Sequence, residues 1–285
     1  MSRNYRGPGS VGHEYDAWTA DGVLERYWGE HIHHGYYPDQ QFRGVDFRAA
    51  KVDLVERLLD WGQVTGAQRV LDVGCGIGGS ARLLARRFSA DVTGVTLSPA
   101  QADRARSLSE GLSCRFEVAD ALQLPFEDGG FDLVWACESG EHMPDKEAFV
   151  RELARVLAPG GHLLIATWCH ADVLSPRQER RLERIYQEWA LPYFVPLSKY
   201  RDLAHAHPRL EAVETADWSP EVSPTWLHQI ALGATDLGWL VRQGPQVVAR
   251  SLRDAWAVKD MILGYRDGSI CYGLLQARGA PWSHA

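Results

Sequence analysis

Between Arg69 and His170 the chain alternates short β-branched runs with stretches of helical period. RVLDVGC, DVTGVTL, CRFEVAD, FDLVWACE and HLLIATWC read as strands. SARLLARRF, PAQADRARSLSEG and KEAFVRELARVL repeat apolar residues every three or four positions and read as helices, the last of them ended by APGG. Strands and helices in this order predict an α/β domain on a parallel, doubly wound sheet with right-handed crossovers. Ligands of such a sheet bind at the carboxyl ends of its strands.

The flanks have a different texture. FRAAKVDLVERLLDWG puts Val52, Val55, Leu58 and Leu59 on one stripe, which predicts an amphipathic helix leading into the core. Upstream, YDAWTADGVLERYWGEHIHHGYYPD is dense in aromatics and histidines and broken by glycine and proline, as befits a lid or pocket wall. Residues up to about Gly12 show no period and are rich in Gly, Ser, Arg and Pro, so a flexible arm is expected there. Beyond Pro176, RQERRLERIYQEWALPYF, SKYRDLAHAHPRL and TWLHQIALGATDLGWLV are helical and aromatic and predict a cap, while LEAVETADW and SICYGLLQAR read as closing strands. The expected division is a flexible arm (1–14), a lid with its leading helix (15–66), a core (67–175), an inserted helical cap (176–245), and a C-terminal helix with closing strands (246–285).

Composition narrows the partners. The 285 residues are 45% hydrophobic and 24% charged, with a net charge of −7. No run of like charge is long enough to grip a phosphate backbone, so nucleic acid is not an expected partner. No window approaches the roughly 20 apolar residues of a membrane span, and MSRNYRGPGSVGHEYD lacks the apolar core of a signal peptide. A cytoplasmic monomer or homodimer is the expectation. The five cysteines are scattered and never form a CxxC pair, which disfavours structural zinc and a disulfide framework.

The chemistry begins at LDVGCGIGG, where Gly74, Gly76 and Gly79 give GxGxxG between a strand and a helix. Glycines there permit a tight turn and the close approach of a cofactor. The pattern alone suits a dinucleotide equally well. Asp72, however, would repel a pyrophosphate and suits the cationic end of S-adenosylmethionine, directly or through water. In VADALQLPF, Asp120 can accept from an adenine amine and the Ala121 N–H can donate to a ring nitrogen. Together these features resemble the class I S-adenosylmethionine-dependent methyltransferases, which implies a Rossmann-like fold and S-adenosyl-L-homocysteine as product. Where that superfamily usually has an acidic ribose ligand, GVTLSPAQ supplies Thr96, Leu97 and Ser98, with Gln101 as a further contact.

YWGEHIHHGYY, GVTLSP, ESGEHMPDK, TWCH, ADWSPEVSPTW and GYRDGSICYGLLQAR, in that order, resemble the tocopherol O-methyltransferases and the related plant indole-alkaloid N-methyltransferases over about Tyr15 to Ala277. The resemblance implies methyl transfer to a lipophilic small molecule carrying a phenol, indole nitrogen or polyene carbon. His142 is the expected base, because the loop after the fourth strand faces the sulfonium in this fold and imidazole titrates near neutrality. Glu138 and Glu141 flank it, and Glu138 is expected to support the cofactor or a cationic acceptor. Tyr27, Trp28, His31, His34, Trp168 and His170 are the expected acceptor and lid side chains. HIHH is read as packing and lid closure, since three such close rings do not easily converge on one tetrahedral ion, and no metal is expected. The alternatives are a prenyl diphosphate C-methyltransferase, drawing on Arg180, Arg181, Lys199 and Arg201, and a cyclase or isomerase that keeps the fold and its bound cofactor. A nicotinamide oxidoreductase and a cofactor sensor fit less of the pattern.

Overall fold

A computed structural model describes residues 8–189 and 191–281. In chain order the elements are α1 (Pro8–Ala20), α2 (Val23–Trp28), α3 (Phe47–Trp61), β1 (Arg69–Val73), α4 (Gly79–Phe88), β2 (Asp91–Thr96), α5 (Pro99–Leu108), β3 (Cys114–Val118) and β4 (Phe131–Cys137). A 3₁₀ turn (Gly140–His142) then leads to α6 (Lys146–Val156), β5 (Leu157–His170), α7 (Pro176–Glu188), α8 (Leu197–Ala206), β6 (Leu210–Asp217), α9 (Ser219–Val222), α10 (Pro224–Thr235), α11 (Leu237–Arg242), α12 (Pro245–Arg266) and β7 (Ile270–Gly279).

The seven strands form one sheet in the order β3-β2-β1-β4-β5-β7-β6, with β7 antiparallel to both of its neighbours. Side-chain alternation builds a core on each face. Val70, Leu133, Trp135, Leu164 and Leu274 meet α3, α4, α7 and α12, whereas Leu71, Val134, Ala136, Leu163 and Leu275 meet α6 and α8. Helix starts follow local chemistry. Ser98 caps α5 by accepting from Gln101 N ahead of Pro99, and Ser175 with Gln178 forms a reciprocal capping box on α7.

Three expectations are corrected. Residues 8–14 lie in α1, whereas a flexible arm was expected; residues 1–7 lie outside the described residues. Helix α1 roofs a cavity instead of packing one face on a core, so it carries no amphipathic period. The range expected for the helical cap, 176–245, takes in β6, the closing strand expected of LEAVETADW, which pairs with β7 and so belongs to the sheet. On α3, Val52 is exposed, and Lys51 joins Leu54, Val55, Leu58 and Leu59 on the inward face. The Lys51 ammonium explains the swap: it donates to Trp28 O (2.6 Å) and His31 O (2.8 Å) and sits 4.3 Å from the Trp28 and Phe47 ring centroids.

Candidate active site

The carboxyl ends of β1, β2, β3 and β4 open onto one slot, lined by Gly74 and Gly76, by Thr96, Leu97 and Ser98, by Ala119 and Ala121, and by Glu138, Ser139, His142 and Met143 of the following turn. Gly74, Gly76 and Gly78 all have positive φ, and the N–H groups of Gly74 and Cys75 donate to Val95 O, which fastens the loop to the end of β2. A Cβ on Gly76 would point toward Ile32 Cδ1 (3.4 Å) and Gln101 Nε2 (3.9 Å), two walls of the slot, so this glycine leaves space that a side chain would fill. At the opposite wall, Thr96 Oγ1 donates to Gln101 Oε1 (2.8 Å) and accepts from Ser98 N (3.2 Å).

Helix α1 closes the slot from above through Val11, Gly12 and Tyr15. Gly12 packs so tightly on Leu97 that an added Cβ would lie 2.9 Å from its carbonyl oxygen. Asp16 is the fastener: its Oδ1 accepts from Ser98 Oγ (2.5 Å) and from Ala100 N (3.1 Å). Glu25 binds Arg104 of α5 through both oxygens, and Asp21 pairs with Arg250 of α12.

Beside the slot lies a second, larger cavity of about 590 Å³, within the roughly 300–1,000 Å³ range of small-molecule sites. Its walls are mostly aromatic and aliphatic and come from α1, α2, the carboxyl end of β5 at Trp168, and α10 to α12. Five residues, Val11, Tyr15, Ile32, Glu138 and His142, line both spaces. Glu138 stands at the tip of β4 with φ +52, a strained backbone for a non-glycine residue. Three donors converge on its Oε1: His34 N (2.6 Å), His34 Nδ1 (2.9 Å) and Tyr272 Oη (3.0 Å).

Hydrogen bonding explains HIHH. His33 Nδ1 donates to His34 O (2.8 Å), and its Nε2 accepts from His31 Nδ1 (3.1 Å). His34 then reaches Glu138 from inside a ring of Trp168, Trp226, Tyr265 and Tyr272. Burial drives His33 well below the usual imidazole range and His31 down to about 4, so both rings are neutral partners at pH 7. His33, Cys137 and Glu138 offer ligand atoms within 4.8 Å of one another, yet each is engaged, Cys137 Sγ with Tyr272 Oη at 3.8 Å.

His142 Nε2 shares a hydrogen bond with Tyr15 Oη (3.2 Å), and its buried Nδ1 has no partner. Burial, reinforced by the Lys146 charge, lowers its pKa to about 3. Glu141, next to it, accepts from Thr167 Oγ1 (2.8 Å) and leaves Oε1 without a partner. Burial and the Glu138 carboxylate push its pKa up to about 8. Lys146 donates to Gly140 O (2.7 Å) and Glu141 O (3.2 Å), and burial brings it down to about 7.

Of the expected cofactor residues, Gly74, Gly76, Thr96, Leu97, Ser98, Gln101, Ala121 and Glu138 converge on the slot. Three do not line it. Gly79 lets Glu30 O pass where a Cβ would sit at 2.2 Å, and with Asp72 it lines a small neighbouring cavity facing His31 and His33. Asp72 is buried with Oδ2 unpartnered, and burial raises it to about 7. Asp120 accepts from Leu122 N (2.9 Å) within its own turn, between Ala119 and Ala121 on the wall. Of the expected acceptor residues, Tyr27, Trp28 and Trp168 line the large cavity. His34 is buried behind Glu138. His31 faces α4, because Lys51 holds its carbonyl. His170 lines neither space: β5 has run past the cavity by then, and the ring binds Ala171 O (2.7 Å).

Val11, Gly12, Tyr15 and Asp16 were missed for want of a period in α1, and Gly78 for lying outside GxGxxG. GIGG carries the signal for Gly78, whose φ is +82.

A strand-loop-helix cradle at the carboxyl ends of a parallel sheet, roofed by a helix and joined to an apolar cavity, defines a class I S-adenosylmethionine-dependent methyltransferase. The family description "Methyltransferase domain" matches residues 71–165. The chain is 42% identical to the chloroplastic tocopherol O-methyltransferase of Arabidopsis thaliana, over 89% of this chain and 78% of that protein. It is 38% identical to a 2-methyl-6-phytyl-1,4-hydroquinone methyltransferase of Synechocystis, over 97% of this chain and 89% of that protein. A structure from Galdieria sulphuraria, assigned as a sarcosine dimethylglycine methyltransferase, superimposes with a TM-score of 0.80 at 25% identity, covering 92% of this chain and 98% of its own. The chain therefore belongs to the tocopherol O-methyltransferase-like family of S-adenosylmethionine-dependent methyltransferases. No helix among the described residues is long and apolar enough to cross a membrane.

Proposed function

We propose that the enzyme methylates a hydroxyl or amine of a lipophilic, non-phosphorylated acceptor held in the large cavity, with His142 and Glu138 at the reacting end. The observation that carries this reading is that these two side chains line both the cofactor slot and the apolar cavity. The names of the relatives, a tocopherol and a phytyl-hydroquinone methyltransferase, support an acceptor with a phenolic head and an apolar body.

S-adenosylmethionine, when bound, supplies the electrophilic methyl. The Gly74–Gly76 turn, Ala121 and the Thr96–Gln101 wall would hold it, and α1 excludes water above it. Glu138, fixed by three donors, presents negative charge toward the junction of the two spaces. His142 is neutral at pH 7 and takes the proton of a hydroxyl acceptor at Nδ1 as methyl transfer makes that proton strongly acidic, whereas a neutral amine attacks through its lone pair and needs no base. Tyr15 Oη holds the ring by Nε2. The cavity walls contribute alignment, the largest demand of an in-line displacement.

A prenyl diphosphate fits poorly, because among the described residues no Lys or Arg lines the large cavity, whereas Glu138, Glu141 and Asp254 do. Of the four cap cations, Arg181 is bound to Asp267 and Ser269 and Arg201 to Asp202, and neither Arg180 nor Lys199 lines the cavity. Five free cysteines suit a cytoplasmic setting. Both spaces are lined by residues of one chain, which suits a working monomer.

The test is a mass-spectrometric assay against prenylated phenols, indole alkaloids and prenyl diphosphates, reading S-adenosylhomocysteine and a mass gain of one methylene. Methylation of phenols or indoles, slowed about a hundredfold or more in His142→Ala with cofactor affinity intact, is expected. Undiminished turnover in His142→Ala overturns its role. Product formation without S-adenosylhomocysteine would identify a cyclase or isomerase instead.

A further inference from the structure

The large cavity is open to the surface through an apolar lip. Ile230 of α10, Leu237 and Val241 of α11, and Leu252 of α12 line the cavity and yet are 51%, 59%, 67% and 62% exposed. A side chain does both only at a mouth. Leu227, Leu232 and Trp256 extend the apolar surface on the same helices, with Trp256 one turn beyond Leu252. Single exposed apolar residues are ordinary, but seven of the ten large exposed hydrophobics among the described residues fall between positions 227 and 256.

The charges around this lip are asymmetric. Arg242 follows Val241, Arg253 follows Leu252, and Lys259 Nζ lies 4.9 Å from the Trp256 ring centroid. None of the three is ion-paired among the described residues, whereas Asp236 and Asp260 on the same segment are bound by Arg26 and Arg184. Asp254 turns inward to line the cavity. A chain of net charge −7 thus presents Arg253 and Lys259, with no ion pair among the described residues, beside this apolar lip. Tryptophan beside lysine, above leucines, is the composition of an interfacial anchor. A second copy on this face would plug the mouth through which the acceptor enters.

We propose that the α10–α12 face docks on the surface of a bilayer containing anionic lipid, and that the acceptor passes laterally from the bilayer into the cavity. The entry route rests on the lipophilic-acceptor reading above; docking itself does not.

The test is co-sedimentation of the full chain with phosphatidylcholine vesicles, with and without phosphatidylglycerol. Wild type pellets with the anionic vesicles, and Leu227→Glu/Trp256→Glu weakens that partitioning by about tenfold or more. Arg253→Glu/Lys259→Glu removes the preference for phosphatidylglycerol. Calorimetric binding of S-adenosylhomocysteine stays at the wild-type value in both variants, which separates lost docking from lost folding. Wild type that stays in solution with every vesicle, pelleting indifferent to both pairs of substitutions, or a dimer in ultracentrifugation that Leu227→Glu/Trp256→Glu dissociates would overturn the proposal. A failed acceptor assay with vesicle binding intact would count against the acceptor reading alone.

Discussion

Gly76 offers a sharp test of where the cofactor lies. Its φ of +53 makes any L-residue there strained, and a Cβ would project into the slot toward Ile32 and Gln101. Gly111 has a comparable φ of +79 but nothing within 4 Å of its would-be Cβ. Gly76→Ala and Gly111→Ala therefore share the left-handed backbone cost of about 1–2 kcal/mol, and both should lower the melting temperature of the ligand-free protein by similar amounts. Only Gly76→Ala adds a methyl where the cofactor must pack. Overpacking by one carbon costs about 1–3 kcal/mol, which is a rise of about 5- to 150-fold in Kd. Titration calorimetry with S-adenosylhomocysteine, alongside thermal unfolding without it, reads the two terms separately. Equal affinities for the two variants, both within about twofold of wild type, would mean that Gly76 does not front the cofactor.

Three further outcomes are expected. Asp16→Ala removes both bonds that fasten α1 to Ser98 and Ala100, so stopped-flow measurements should show S-adenosylhomocysteine leaving about tenfold faster, with on-rates changed less; an unchanged off-rate would show that α1 is no latch. Lys51→Met keeps the stem but strands the carbonyls of Trp28 and His31, at a cost of about 1–3 kcal/mol each, so a melting temperature equal to or above wild type would contradict the reading. Glu141 stays protonated in the fold up to about pH 8, while its unfolded counterpart ionises near 4.5. Its folded pKa is raised, so the contribution is full below the unfolded value and is lost as pH rises toward 8, at a slope of at most about 1.4 kcal/mol per pH unit. Denaturant unfolding should show wild type losing ground to Glu141→Gln between about pH 5 and 8; parallel curves for the two proteins would exclude a neutral Glu141.

Local sequence determined a good deal of this enzyme. RVLDV, DVTGVT and FDLVWAC can only satisfy their apolar runs inside a covered sheet, and the intervening helices announce their buried faces by period, so β1 to β5 with α3 to α6 were legible. The turns between them were legible too, because Gly74 and Gly76 occupy backbone that other residues avoid and Ser98–Pro99 is a helix start written in two residues. What the sequence left open is everything that depends on which segments meet. No local pattern marks α1 as a roof, since its inner side faces a ligand space and not a core. Nothing in HIHH says that His31 turns toward α4 while His34 becomes the support of Glu138; the Lys51 ammonium, reaching from the next helix, decides that. His142 and Glu141 are adjacent in the chain and both largely withdrawn from water, yet one sheds its proton and the other keeps it, because burial disfavours the charged form of each and those forms have opposite sign. Strand order, the antiparallel β7, the apolar mouth between α10 and α12, and the protonation of the site all come from packing, where free energy depends on neighbours that are distant in sequence.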